Sequence, residues 1–115
     1  MGYESFENLE VWKRAYKIAV TMYEVLRECR DYGLKDQMTR AAVSIASNIA
    51  EGAERGSHKE FIRFLHIAKG SAAELRTQVY IAHRISVLNN KLAQELIQEL
   101  QIISKQLHNL IKSLQ

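Results

Sequence analysis

Residues 61–82 read FIRFLHIAKGSAAELRTQVYIA. In this stretch, apolar residues recur at alternating intervals of four and three, which puts them on one face of an α-helix. They are Phe61, Leu65, Ala68, Ala72, Leu75, Val79 and Ala82. Ser57 and Glu60 precede the stretch with the spacing of a capping box, in which two side chains satisfy free N–H groups at a helix start. The sequence therefore predicts a helix of about eight turns.

Three further segments on either side show the same helical spacing. They run over residues 9–26, 34–49 and 92–114. We expect the first helix to end near Asp31-Tyr32-Gly33, because glycine can close a helix in the left-handed conformation. The second helix is expected to be shorter than the first. Asn89-Asn90 is expected to begin the last helix, since asparagine is a favoured N-cap.

The composition of the chain is that of one globular domain. Its 115 residues are 47% hydrophobic and 25% charged, and they include no proline. Helices that each carry an apolar stripe and are joined by short connections bury those stripes against one another. We therefore predict one domain over residues 1–115, of the all-α class, folded as an antiparallel up-down-up-down four-helix bundle.

Several classes of protein are disfavoured by features that the sequence lacks. No apolar run approaches the length of about 20 residues that crosses a bilayer, and the first residues are acidic where an export signal is basic. A cytoplasmic protein with no membrane contact is expected. One cysteine, Cys29, cannot form an internal disulfide. No phosphate-binding loop is present and the four histidines form no metal pair on one helix, so neither a cofactor nor a metal is expected.

The first helix carries a second apolar stripe about 130° from the first, at 100° per residue. It consists of Val11, Ala15, Ile18, Met22 and Val25. One bundle core cannot cover both stripes, and a small monomer rarely exposes so large an apolar patch. We therefore predict a homo-oligomer, as a closed ring or a dimer, with the second stripe as its interface. The alternative is a wide core stripe with scattered apolar residues on the surface.

Basic residues are concentrated in the third helix. Residues 57–88 hold five lysines and arginines against two glutamates. The net charge of this segment is therefore +3, the same as that of the whole chain. The predicted nucleic-acid-binding residues are Lys59, Arg63, His66, Lys69, Arg76 and Arg84. Their alternative role is that of an ordinary solvated helix surface. No aromatic residues interleave with them as a single-strand platform requires, so base reading is not expected.

Arg76 and His83 have a spacing that is used by a class of all-helical RNA-cleaving domains. Such a pair also arises by chance in a helical chain rich in arginine, so an RNA-cleaving enzyme ranks third among the functional hypotheses. No catalytic residue is assigned, and the protein is predicted not to be an enzyme.

Polar residues interrupt the apolar pattern of the second and third helices. They are Arg40, Ser44, Asn48, Glu51, Ser71 and Glu74. A carboxylate at a helix seam needs a donor such as Arg40 or Asn48 to offset its desolvation. We interpret the set as a structural network that fixes the register of the helices, with a ligand site as the alternative.

Three motifs carry a family resemblance that covers nearly the whole chain. They are Phe6-x-x-Leu9-x-Val11-Trp12-x-x-Ala15, then Gln37-x-x-Arg40-Ala41-Ala42-x-Ser44-Ile45-x-x-Asn48-Ile49-Ala50-Glu51-Gly52, then Lys59-Glu60-Phe61-x-x-Phe64-Leu65-x-x-Ala68-x-Gly70-Ser71-Ala72-x-Glu74. The chain resembles the four-helix bundle family of ribosomal-RNA intervening-sequence proteins. That family is similar to the accessory variability protein of diversity-generating retroelements, a basic homopentameric barrel that binds nucleic acid and a reverse transcriptase.

The resemblance implies a bacterial, ring-forming, non-enzymatic bundle, with a pentamer as the expected assembly. RNA or DNA is the expected partner. The alternative is a protein-binding adaptor that docks a partner enzyme such as a reverse transcriptase, with its charge incidental. A shared fold does not carry a function by itself.

Overall fold

The computed structural model describes residues 5–115. Within that range a 3-10 turn at Phe6–Asn8 precedes four helices and no strand is present. The helices are α1 Glu10–Val25, α2 Tyr32–Ala53, α3 His58–Arg84 and α4 Asn90–Leu114. They pack into an elongated body that measures 43 × 20 × 20 Å. The prediction of an all-α four-helix bundle is confirmed.

Each helix contacts two others, so that α1 lies diagonally across from α3, and α2 from α4. Two contacts show that α2 and α3 run in opposite directions. Gly52 near the end of α2 packs on Phe64 near the start of α3, and Ser44 contacts Ser71 in the middle of both helices. The connections have six, four and five residues in chain order, and short connections are typical of helices that alternate in direction. Of the four pairs of neighbouring helices, α1 and α4 contact each other least.

The predicted helix starts at Ser57 and Asn89 are confirmed. The Ser57 hydroxyl accepts the Glu60 N–H at 3.2 Å, and the Asn89 side-chain oxygen accepts the Leu92 N–H at 2.8 Å. The Glu60 carboxylate, however, binds Arg63 rather than reaching back to Ser57. The capping box is therefore half formed, since only the serine satisfies a free N–H group.

The predicted end of the first helix is wrong. Helix α1 ends at Val25, and Gly33 lies in the first turn of α2. Asp31 explains why Gly33 belongs to α2, because its side chain accepts the Leu34 N–H at 3.1 Å and so caps the start of that helix. Residues 26–31 connect α1 to α2. The second helix is also longer than the first, with 22 residues against 16.

The core of α1 includes residues of both stripes. Four of the five residues predicted as an oligomer interface are buried in it: Val11 (5% exposed), Ala15 (0%), Ile18 (3%) and Met22 (0%). The fifth, Val25, packs partly buried against them. The stripe predicted for the core consists of Leu9, Trp12, Tyr16, Ala19, Tyr23 and Leu26. Ala19 and Leu26 are buried, whereas Tyr16 and Tyr23 are 55% and 53% exposed. A residue buried in its own bundle cannot contact a second copy, so this interface assignment is wrong, and the alternative of a wide core stripe describes α1.

The chemistry of the side chains explains which residues of the two stripes are exposed. Compact aliphatic residues fill a core in well-defined rotamers, whereas a buried tyrosine needs a partner for its hydroxyl group. Helical periodicity alone does not show how wide the buried face of α1 is, because both stripes are regular.

Apolar residues are nevertheless exposed on α1, along the side that borders α2. We call it the aromatic surface, and it consists of Trp12, Tyr16, Val20, Tyr23 and Val43. These side chains surround a shallow groove between α1 and α2, with Ala46 and Ala50 at its base. The Trp12 and Tyr16 rings stack with their centroids 5.3 Å apart.

Across residues 5–115, none of the helices combines the length and the apolarity that crossing a membrane requires.

Candidate nucleic-acid interface

The seam between α3 and α4 is lined by basic side chains of both helices. Lys69 Nζ lies 3.5 Å from His108 Nδ1 across this seam. Arg76 and His83 follow Lys69 at intervals of seven residues, which keeps all three on the border of α3 that faces α4. Lys69, Arg76 and His83 are half-buried there. Their stems therefore pack along the seam, while their polar ends reach solvent.

Helix α4 supplies a second row of cations beside the first. Lys105 and Lys112 lie three residues before and four residues after His108, and both are exposed. We call the combined surface the basic face. It consists of Lys59, His66, Lys69, Arg76, His83 and Arg84 of α3 with Lys105, His108 and Lys112 of α4. Sequence analysis missed the α4 residues, because the pattern of one helix does not show which neighbour its border meets.

Three of the four carboxylates of α3 and α4 are directed to other parts of the bundle. Glu99 binds Arg14 of α1 with both oxygens, at 2.8 and 2.9 Å, and Glu95 lines the groove between α1 and α4. Glu60 pairs with Arg63 and approaches Arg55 at the α2–α3 corner. The fourth, Glu74, is exposed on α3. Within the described part of the chain, no carboxylate forms an ion pair with a residue of the basic face.

One predicted nucleic-acid residue, Arg63, differs from the other five because it is held in an ion pair. Its guanidinium donates two hydrogen bonds of 3.2 Å to the Glu60 carboxylate and sits 4.6 Å from the centroid of the Phe64 ring. Arg55 approaches the same ring at 4.7 Å. Arg63 thus belongs to an ion-pair and cation–π cluster at the α2–α3 corner. The other five, Lys59, His66, Lys69, Arg76 and Arg84, share the basic face.

The corner cluster makes stability depend on pH. Hydrogen bonds from Arg63 hold the pKa of Glu60 below its ordinary value. A carboxyl group with a lowered pKa in the folded state stabilises the fold above its unfolded value of about 4.3, and this contribution is lost as the pH falls through the folded value.

We expect Glu60→Gln to lower the melting temperature at pH 7, and this deficit to shrink as the pH falls and the wild-type carboxyl becomes protonated as well. Thermal melts of both proteins over a series of pH values from 7 downwards test this. Glu74→Gln is the matched control, because Glu74 is exposed and forms no ion pair with the described residues. A Glu60→Gln deficit that is the same at every pH would contradict the assignment.

The predicted polar network forms from three of its six residues. The Ser44 and Ser71 hydroxyls lie 2.9 Å apart, and Asn48 donates to the Ser44 hydroxyl at 2.9 Å. Glu51 instead accepts from Arg55 at 3.3 Å, so the prediction of Arg40 or Asn48 as its donor is wrong. Arg40 and Glu74 are exposed and make no hydrogen bond with the described residues. An exposed carboxylate keeps its water and needs no donor at the seam.

The close approach of α2 and α3 depends on Gly52. A Cβ atom at this position would lie 2.5 Å from the Cβ of Phe64, well inside any real contact. Within the segment Asn48-Ile49-Ala50-Glu51-Gly52, the glycine is therefore required for the packing of α2 on α3. The most specific motif of the sequence is thus at least partly structural.

Residues 5–115 contain no cluster of metal-binding side chains. No three histidine, cysteine, aspartate or glutamate side chains lie together as a metal site requires. Cys29 is half-buried and its thiol points to the Asp31 carbonyl.

Comparison with known proteins identifies the family. Residues 7–109 match the model of the 23S rRNA-intervening sequence protein family. The chain belongs to this family. A solved structure with a similar fold is that of a protein of unknown function from the S23 ribosomal protein family of Bacteroides thetaiotaomicron, with a TM-score of 0.83 and 25% identity. The alignment covers 89% of this chain and 98% of that one. No curated protein matches. The resemblance drawn from the sequence motifs is confirmed.

Proposed function

We propose that this intervening-sequence protein is a homo-oligomeric, non-enzymatic bundle that binds RNA or DNA through the basic face. The separation of charge on α3 and α4 carries the proposal. Cations of both helices share one side, while three of the four carboxylates of these helices, Glu60, Glu95 and Glu99, are directed to other parts of the bundle. A surface of one sign attracts a phosphate backbone and displaces its counterions on binding.

Lys69 and Arg76 are the proposed central contacts. They lie on the border of α3 that faces α4, where Lys69 Nζ is 3.5 Å from His108 Nδ1. Neither Lys69 nor Arg76 forms an ion pair with a described residue. Their charges are therefore available to phosphate groups.

Fluorescence anisotropy with a labelled RNA over a series of salt concentrations tests the nucleic-acid contact. We expect Lys69→Gln combined with Arg76→Gln to weaken binding at least about tenfold and to reduce the salt slope by about 2, since each lost phosphate contact removes about one unit. Lys13→Gln combined with Lys17→Gln is the matched control. It removes the same charge from exposed positions of α1, diagonally across from α3.

Three outcomes would contradict this proposal. Equal losses in the two double variants would show that only net charge matters. No binding at low salt would remove the nucleic-acid role. Cleavage of the RNA that His83→Ala abolishes would make the protein an enzyme.

The aromatic surface supports the oligomeric part of the proposal. It leaves Tyr16 and Tyr23 more than half exposed beside Val20 and Val43, and such neighbouring apolar groups favour association. The resemblance to a homopentameric protein favours five copies. Light scattering should then give a mass of about five times 13.2 kDa.

The same surface favours a second candidate function, that of a protein-binding adaptor. Under this alternative, the chain is a monomer whose aromatic surface holds a partner protein. A monodisperse monomer that retains one partner after nuclease treatment, and loses it in Tyr23→Ser, would support the adaptor over the oligomer.

A further inference from the structure

The aromatic residues of the protein are distributed unevenly over its surface. Among the described residues, three of the four exposed tyrosines, Tyr16, Tyr23 and Tyr32, belong to α1 and α2, whereas Phe61 and Phe64 of α3 are buried. Tyr80, 53% exposed, lies one turn from Arg76 and from Arg84. The basic face thus has one aromatic neighbour. Sites for single strands use several aromatic side chains, on which successive bases stack.

The basic face is also long and rigid. The 26 residues from Lys59 to Arg84 span about 38 Å of continuous helix at 1.5 Å per residue. This length is close to that of one turn of a B-form DNA duplex, about 34–36 Å. Lys69, Arg76 and His83 repeat at about 10.5 Å along it. Because the helices fix these intervals, the face suits a partner whose phosphates are themselves fixed in space.

Helix α4 extends this face with neutral polar groups. Gln101 and Gln94 lie seven and fourteen residues before His108, which places them on the same border of α4, and both are exposed. Amide side chains make hydrogen bonds to phosphate and sugar oxygens that fix position and carry no sequence information. The basic face therefore offers contacts to the nucleic-acid backbone along its length and few groups that could distinguish bases.

We propose that the ligand of the basic face is double-stranded nucleic acid, held by its phosphate backbone without base contacts. This inference rests on the proposed function. A duplex carries twice the charge of a single strand per unit length and releases more counterions for each phosphate contacted. It also brings its phosphates already ordered, whereas a flexible single strand loses conformational freedom that stacking does not repay here.

Anisotropy measurements with the full chain distinguish the two ligands. The probes are an RNA duplex and a DNA duplex of about 20 base pairs, their separate strands, and a duplex of shuffled sequence, all at one salt concentration. We expect at least one of the two matched duplexes to bind about fivefold or more tightly than either of its strands, and its shuffled counterpart to bind equally well. The RNA and DNA arms identify which duplex it is.

Tyr80→Ala separates backbone contact from stacking. We expect duplex affinity to change less than about twofold, because a duplex keeps its bases stacked within itself. A preference for duplex below fivefold, or a larger loss in Tyr80→Ala, overturns this inference while leaving nucleic-acid binding intact. Failure of every probe to bind instead contradicts the proposed function itself.

Discussion

Ile18→Ala is expected to lower the free energy of unfolding by about 2–5 kcal/mol, as other truncations of buried isoleucine do. Ile18 is 3% exposed and lies with Ala15 and Met22 in the core of the bundle. Truncation removes apolar contacts and leaves a cavity that the surrounding helices fill only in part. Denaturation by urea, followed by circular dichroism, measures the change.

Val20→Ala is the matched control, because Val20 is an aliphatic residue of the same helix that is 42% exposed. In the isolated chain we expect the free energy of unfolding to change by less than about 0.5 kcal/mol.

The mass of the assembly should respond to these two surfaces of α1 in the opposite way. Tyr23→Ser should reduce the oligomeric mass, whereas Ile18→Ala should leave the mass of folded protein unchanged. If Ile18→Ala dissociates the protein without destabilising the chain, Ile18 is an interface residue after all.

Gly52→Ala is expected to cost about 2 kcal/mol, although alanine is the better helix former. The added methyl group would lie 2.5 Å from the Cβ of Phe64 and 3.2 Å from the Phe61 ring. Neither neighbour can move freely, since both are buried and Phe64 also has Arg55 and Arg63 against its ring. Helices α2 and α3 must therefore separate, which weakens the most extensive helix contact of the bundle.

Gly70→Ala provides the comparison within α3. A Cβ at Gly70 would meet nothing within 4 Å, so the helix gains the propensity of alanine without a clash. We expect the free energy of unfolding to rise by about 0.5–1 kcal/mol. Thermal melts of both variants test the pair. Two variants of equal stability would show that the α2–α3 approach does not depend on Gly52.

Much of the fold could be predicted because the relevant signals are local. The apolar spacing of α3 and the caps at Ser57 and Asn89 involve residues within a few positions of one another. The role of Gly33 was missed because two local signals compete around it. Gly33 can close a helix, but Asp31 starts one, and the carboxylate cap decides in favour of α2.

The candidate site was predicted in part for the same reason. The α3 row of cations follows from one helical pattern, but the α4 row becomes a neighbour only through the contact between Lys69 and His108. The removal of Arg63 from the set has a similar cause. Its hydrogen bonds to Glu60 depend on rotamers, and its stacking on Phe64 depends on how the α2–α3 corner closes.

The sequence by itself determined four amphipathic helices, the N-terminal caps of α3 and α4 and an excess of positive charge on α3, because each of these arises within one segment of chain. Only the tertiary structure decided which residues of α1 fill the core, since both stripes repeat with the helical period. Packing buried Ile18 and Met22 of one stripe together with Leu26 of the other, whose aliphatic side chains leave no hydroxyl group unpaired, and it left Tyr16 and Tyr23 in water. Packing also made one basic face from two helices.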